Sequence, residues 1–167
     1  MMEQKPKNSL KHIGVFLLCV LLCHAAGIIG SVFTIKAIPV WYALLEKPWF
    51  NPPNWIFGPV WLTLYTMMGI SLYLIWRHRE KGIQVTAALT IFGVQLFLNA
   101  IWTPVFFGAK LLAPAFAIIV LLWISIIATI GSFKNHSKTA ALLLVPYLLW
   151  VTFAAILNFS LWILNRG

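Results

Sequence analysis

The sequence predicts an all-α integral membrane protein: a bundle of five transmembrane helices with a long, structured first loop acting as a lid. Three observations predict it. Of 167 residues, 62% are hydrophobic and only 9% are charged, where a soluble domain carries about 25% charged residues. Mean hydropathy is +0.93. Five apolar runs, each long enough to cross a hydrocarbon core of about 30 Å as a helix, contain no Asp, Glu, Lys or Arg. A charge at the centre of a span costs about 2.5–3.5 kcal/mol on insertion scales, so this clean partition is itself a signal. The chain, 1–167, reads as one transmembrane domain.

The first run is 13–35. Lys5, Lys7 and Lys11 before it resemble the basic region of a secretory signal. However, Cys23-His24-Ala25 is a poor cleavage site and the apolar pattern continues to Ile35, so a retained helix is expected. Small residues recur four apart at Cys19, Cys23, Gly27 and Ser31, beside a second stripe at Ala26, Gly30 and Thr34. Such stripes let helices approach closely, within the bundle or across a dimer. Cys19 and Cys23 share one helix face, which argues against a disulfide between them. His24 is the only histidine inside a run. A haem ligand is conceivable, but a lone histidine with no second ligand and no carboxylate behind it is more often a hydrogen-bonded packing residue.

Residues 36–54 form the first loop. Pro39, Pro48, Pro52 and Pro53 stiffen it, and Trp41, Tyr42, Trp49 and Phe50 give it a composition unlike that of disordered segments. A long connection in a compact domain is usually functional, and this one reads as a lid over one mouth of the bundle.

The second run, 55–76, has Pro59 in its first turns, where proline is tolerated. The third, 83–106, carries Gln95, Asn99 and Thr103 on one stripe and is ended by Pro104. Pro114 opens the fourth run, 111–130. The fifth, 139–164, contains Asn158, and Pro146 should kink it. Buried amides need partners; Asn99 and Asn158 serve either interhelical hydrogen bonds or, for Asn99, the polar edge of a ligand. The remaining connections, 77–82, 107–110 and 131–138, are short.

Charge excludes much chemistry. The only carboxylates are Glu3, Glu46 and Glu80, and there is no Asp. That removes Asp-containing triads, carboxylate-rich Ca²⁺ cages and relays of buried acids. No metal-ligand spacing or phosphate loop is present. The net charge of +9 sits at the ends of the runs, where bases meet lipid headgroups, and it offers no face for nucleic acid. Lys5, Lys7, Lys11, Arg77, Arg79, Lys81, Lys134 and Lys138 fall on the N-terminal side, against Lys36, Lys47, Lys110 and Arg166 on the other. The positive-inside rule therefore predicts a multi-pass protein of the cell membrane. Its N-terminus is cytoplasmic, with the first loop and the C-terminus on the opposite side. An odd number of spans without internal repeats argues mildly against a coupled transporter.

The nine Trp are lopsided. Trp41, Trp49, Trp55, Trp61, Trp102 and Trp162 fall on the loop side, Trp123 and Trp150 at mid-depth, and Trp76 alone marks the other edge. An interfacial belt populates both surfaces, so the excess points to a Trp-walled cavity under the loop. Such a cavity suits a large, flat, apolar ligand.

The run Trp41-Tyr42-Ala43-Leu44-Leu45-Glu46-Lys47-Pro48, followed by Asn51-Pro52-Pro53-Asn54-Trp55, resembles the first loop of the TspO/MBR family, the tryptophan-rich sensory proteins and translocator proteins. The likeness continues through Phe57-Gly58-Pro59-Val60-Trp61, Asn99-Ala100-Ile101-Trp102-Thr103-Pro104 and Pro146-Tyr147-Leu148-Leu149-Trp150, with Gly30-Ser31-Val32-Phe33 similar to the end of the family's first helix. The resemblance implies a five-helix bundle, usually dimeric, that binds porphyrins such as protoporphyrin IX or haem as ligands, with no obligatory cofactor. By matching motifs it implies a pocket lined by Ser31, Trp61, Tyr65, Asn99, Trp102, Trp150, Phe153, Ala154 and Leu157, with Trp41 and Pro48 as lid. Two departures stand out. Trp49 replaces a small loop residue, and the cholesterol-associated motif after the fifth helix lacks its Tyr, which argues against sterol binding. Three functions follow as expectations: a tetrapyrrole-binding sensor or regulator; light-dependent porphyrin degradation, with Trp102 and Trp150 intercepting reactive species; and transport of an apolar ligand.

Overall fold

A computed structural model describes residues 5–166, with side chains from Leu10 onward. The side chains of Lys5 and Lys7, used above for orientation, lie outside the described residues. The chain folds as α1 (Lys5–Ala37), α2 (Phe57–Arg79), α3 (Thr86–Thr103), α4 (Leu112–Lys134), α5 (Lys138–Leu143) and α6 (Val145–Leu164). Five helical stretches are long and apolar enough to cross a membrane: Leu10–Tyr42, Asn54–Arg79, Thr86–Gly108, Leu112–Lys134 and Lys138–Leu164. No strand occurs among the described residues.

The helices form a ring. α1 packs on α2 and α3, α3 on α4, α4 on α6, and α2 on α5. At the end away from the first loop the bundle is solid. Phe92 and Phe133 stack at 5.7 Å, and the buried Ser71 Oγ donates to the Ala140 carbonyl at 2.8 Å, tying α2 to α5. α1 and α2 meet at Gly69, where a Cβ would lie 2.5 Å from Val20 Cα. Cys19 and Cys23 are both buried and unbonded.

Three proline positions differ from expectation. α1 does not stop before Pro39. It widens into a π turn over Ile38–Tyr42, and the irregular part of the first loop shrinks from the expected 36–54 to 45–53, followed by a 3₁₀ turn over Asn54–Ile56. Proline lacks an N–H and its ring collides with the carbonyl four residues back; the wider turn accommodates both. Likewise α3 runs past Pro104 as a π turn over Pro104–Gly108. In the fifth span the change is larger than a kink. Leu144 separates α5 from α6, and Pro146 sits in the first turn of α6, where its missing N–H has no intrahelical partner to lose. The α2 backbone runs close to α5 but stands away from α6, the gap being spanned by aromatic side chains, Phe57 on Trp150 and Trp61 on Tyr147, so the bundle opens in its loop-side half.

Candidate ligand cavity

That opening is a cavity of about 490 Å³, within the range of small-molecule sites. α2 supplies Trp61 and Tyr65, α3 supplies Trp102, and α6 supplies Trp150, Ala154 and Leu157. α1 supplies a wall of smaller groups, including His24, Gly27, Ser31 and Thr34. Apart from His24, no ionisable nitrogen and no carboxylate lines it. Ile28, Ile35 and Leu62 belong to the same lining yet are 66%, 71% and 63% exposed, so the cavity reaches the outer surface along the α1–α2 seam.

Aromatic packing and hydrogen bonds hold the walls. Trp61 stacks on Tyr65, with ring centroids 5.3 Å apart and planes at 26°. Tyr65 Oη donates to Asn99 Oδ1 at 2.7 Å, and Asn99 Nδ2 donates to Tyr147 Oη at 3.0 Å. Trp102 Nε1 donates to Asn158 Oδ1 at 3.2 Å, while Asn158 Nδ2 donates to the Leu112 carbonyl at 2.9 Å. Trp102 also stacks on Phe106 at 5.0 Å. Trp150 differs: its Nε1 is buried and has no hydrogen-bond partner. An unpaired buried N–H costs about 1–3 kcal/mol, and this one is closed off by protein although the residue lines the cavity.

Seven of the residues expected at the site line the cavity: Ser31, Trp61, Tyr65, Trp102, Trp150, Ala154 and Leu157. Four stand outside the lining. Asn99 lies behind Tyr65, holding it. Phe153 packs between Phe50 and Trp150, at 6.3 and 5.4 Å. Trp41 packs on Phe106 and Phe107, and Tyr42, brought round by the π turn, occupies the cavity wall instead. Pro48 belongs to the irregular loop above. Of the stripe Gln95–Asn99–Thr103, Thr103 alone reaches the cavity; Gln95 is fully buried with neither amide atom bonded.

Sequence reasoning missed most of the α1 wall. Its signal was the small-residue stripe, which turns out to serve both purposes. Gly30 lets Thr103 pack against α1, whereas Gly27 leaves room for the Tyr65 ring. The loop above is fastened at several points. Tyr42 Oη donates to Asn51 Oδ1 at 2.6 Å. Lys47 Nζ donates to the carbonyls of Ala43 and Leu45. Asn165, just past α6, accepts from the Glu46 N–H at 2.9 Å and donates to its carbonyl at 3.0 Å. Trp49 and Trp55, 96% and 72% exposed, belong to the surface rather than to the walls.

A charge-poor ring of apolar spans enclosing a Trp-walled cavity defines a multi-pass membrane protein built around an internal chamber. The sequence profile of the TspO/MBR family matches residues 19–163, and the chain belongs to that family. It is 44% identical over 155 residues to a tryptophan-rich protein TspO of Chlorobaculum tepidum, covering 93% of this chain and 98% of that one. It is 36% identical to a tryptophan-rich sensory protein of Cereibacter sphaeroides, covering 90% and 91%. It is 40% identical to the human translocator protein, covering 83% of each chain.

Proposed function

We infer that the protein binds a tetrapyrrole in its loop-side cavity and acts as a membrane sensor or regulator of that ligand. The observation that carries this reading is the wall chemistry. Three Trp rings and Tyr65 surround a space lined by no carboxylate, Lys or Arg, and flat aromatic surfaces favour a flat apolar ligand through stacking and area burial. Trp61, Trp102 and Trp150 supply contact area, and Ala154 leaves room for the macrocycle. Asn99 acts one layer back, fixing Tyr65. Bound porphyrin would itself supply any photochemistry. The names of the relatives, which speak of sensing and translocation, agree with a ligand-handling role. A cytoplasmic N-terminus and a homodimer belong to the same reading.

The test is a titration of the purified protein with protoporphyrin IX in darkness, followed by Trp fluorescence and the Soret band, and then repeated under illumination in oxygen. Saturable quenching with a Soret shift supports the reading; linear, non-saturating quenching overturns it. Loss of the Soret band in light faster than in protein-free solution would add the degrading activity to the binding one.

A further inference from the structure

The end of the bundle opposite the first loop carries a second opening. Between α1 and α2 a groove of about 460 Å³ is lined by His12, Ile13 and Phe16 on one side and by Tyr73 and Arg77 on the other. Rings form and brace its floor. Phe16 meets Tyr73 edge-on at 5.4 Å, Tyr73 stacks on Trp76 at 6.4 Å, and Trp76 meets His12 edge-on at 6.3 Å. The Arg77 guanidinium carbon lies 5.9 Å from the centre of the Tyr73 ring, whose face attracts a cation and limits its travel. The groove lies where two spans end, Leu10–Tyr42 and Asn54–Arg79. From it Ile13, Leu17 and Leu21, one turn apart and each more than half exposed, continue along α1 as an apolar track.

The cations of this corner are not equivalent. Glu80 takes Lys11 at 2.8 Å and lies 3.5 Å from His12. No carboxylate pairs with Arg77 among the described residues, so its planar fork of five N–H donors is left for a partner from outside. Lys11, Arg77, Arg79 and Lys81 stand against the single carboxylate Glu80 at the end of α2 and the turn after it, a surplus that attracts an anion and repels the cation of a zwitterionic headgroup. Basic pockets between transmembrane helices of this kind take lipid phosphates. We propose that the groove holds one anionic phospholipid, its phosphate on Arg77 and an acyl chain along Ile13 and Phe16. A guanidinium meets phosphate through two parallel hydrogen bonds, and Tyr73 is the positioning residue that holds it at the rim. A soluble phosphate would use Arg77 alone and leave the aromatic floor uncovered, whereas a phospholipid covers both. The site is independent of what fills the loop-side cavity.

The experiment incubates the full chain, purified in detergent, with equal amounts of dioleoylphosphatidylglycerol and dioleoylphosphatidylcholine, and reads the retained lipid by native mass spectrometry. Wild type should retain one molecule of phosphatidylglycerol in preference to phosphatidylcholine. Arg77→Gln should weaken that retention about fivefold, the worth of one base at an anionic lipid surface. Arg79→Gln removes the same charge from outside the groove and should leave retention nearly unchanged. Tyr73→Leu, which takes away the ring under the guanidinium, should weaken it as Arg77→Gln does. Inorganic phosphate in excess over lipid should not displace the bound molecule. Equal retention of the two lipids by wild type, or equal losses in Arg77→Gln and Arg79→Gln, overturns the proposal. Displacement by inorganic phosphate overturns it too, by making the groove a site for a soluble anion. Should a variant not fold, the wild-type comparison of the two lipids, with and without phosphate, decides alone.

Discussion

Tyr65 on α2 gives its hydroxyl hydrogen to Asn99 on α3 at 2.7 Å, and the Asn99 amide passes the connection on to Tyr147 on α6 at 3.0 Å. One 4%-exposed side chain thus joins three helices directly behind the cavity wall. Asn99→Leu removes both bonds and leaves two buried hydroxyls without their partner. The expected loss of stability is about 1–3 kcal/mol, read as a lower unfolding temperature in detergent. A melting curve indistinguishable from wild type would show that the bridge holds nothing together.

Ala154 faces the cavity between Trp150 and Leu157. Ala154→Phe places a ring in the space assigned to the macrocycle. It should abolish saturable quenching by protoporphyrin IX, while helical circular dichroism and thermal unfolding stay close to wild type. Quenching that persists unchanged would remove the ligand from this cavity.

Asn165 pairs with the backbone of Glu46 in both directions. Asn165→Ala releases that fastening, and amide exchange at residues 45–53 should quicken severalfold while exchange within α2 and α4 is unaltered. Tyr42–Asn51 holds the later part of the loop in place, so within 45–53 the quickening is greatest beside Glu46 and least at Asn51.

Much of this arrangement is legible in the sequence, because charge exclusion alone delimits the spans and the lopsided Trp distribution points to the correct half of the bundle. The parts that were not legible share a cause. A π turn changes the angular register without altering composition, so the exchange of Trp41 for Tyr42 on the wall leaves no mark in a periodicity based on 3.6 residues per turn. The same holds for the continuation of α3 past Pro104. The α1 wall was hidden for a different reason: a small residue signals close approach whether what approaches is a helix, as Thr103 does at Gly30, or a side chain, as Tyr65 does at Gly27. Asn99 was recognised as important, yet the choice between wall and support depends on which way two tyrosines point.

At the end opposite the loop, Lys11 Nζ lies 2.8 Å from Glu80 Oε1, and His12 Nε2 lies 3.5 Å from Oε2. The hydrogen bond from Lys11 holds the Glu80 carboxyl below its ordinary value. The tie between α1 and α2 is therefore fully present above the ordinary carboxylate range and is lost as pH falls through the lowered value. Acidification should loosen this corner, seen as lower protection of the amides just after Arg79 once the intrinsic exchange rate at each pH is divided out. Glu80→Gln should remove that pH dependence. Because the pair is exposed, added salt should weaken it as well.

The amide pair between Glu46 and Asn165 spans 119 residues of sequence. During synthesis, which proceeds from the N-terminus, the first loop is made early and its far anchor only after all five spans. Four spans can be in the bilayer before the first loop has this anchor. The loop is therefore tied down at Glu46 only after the last span has been made, and a chain stopped just before Asn165 would carry all its aromatic walls and still lack this tie.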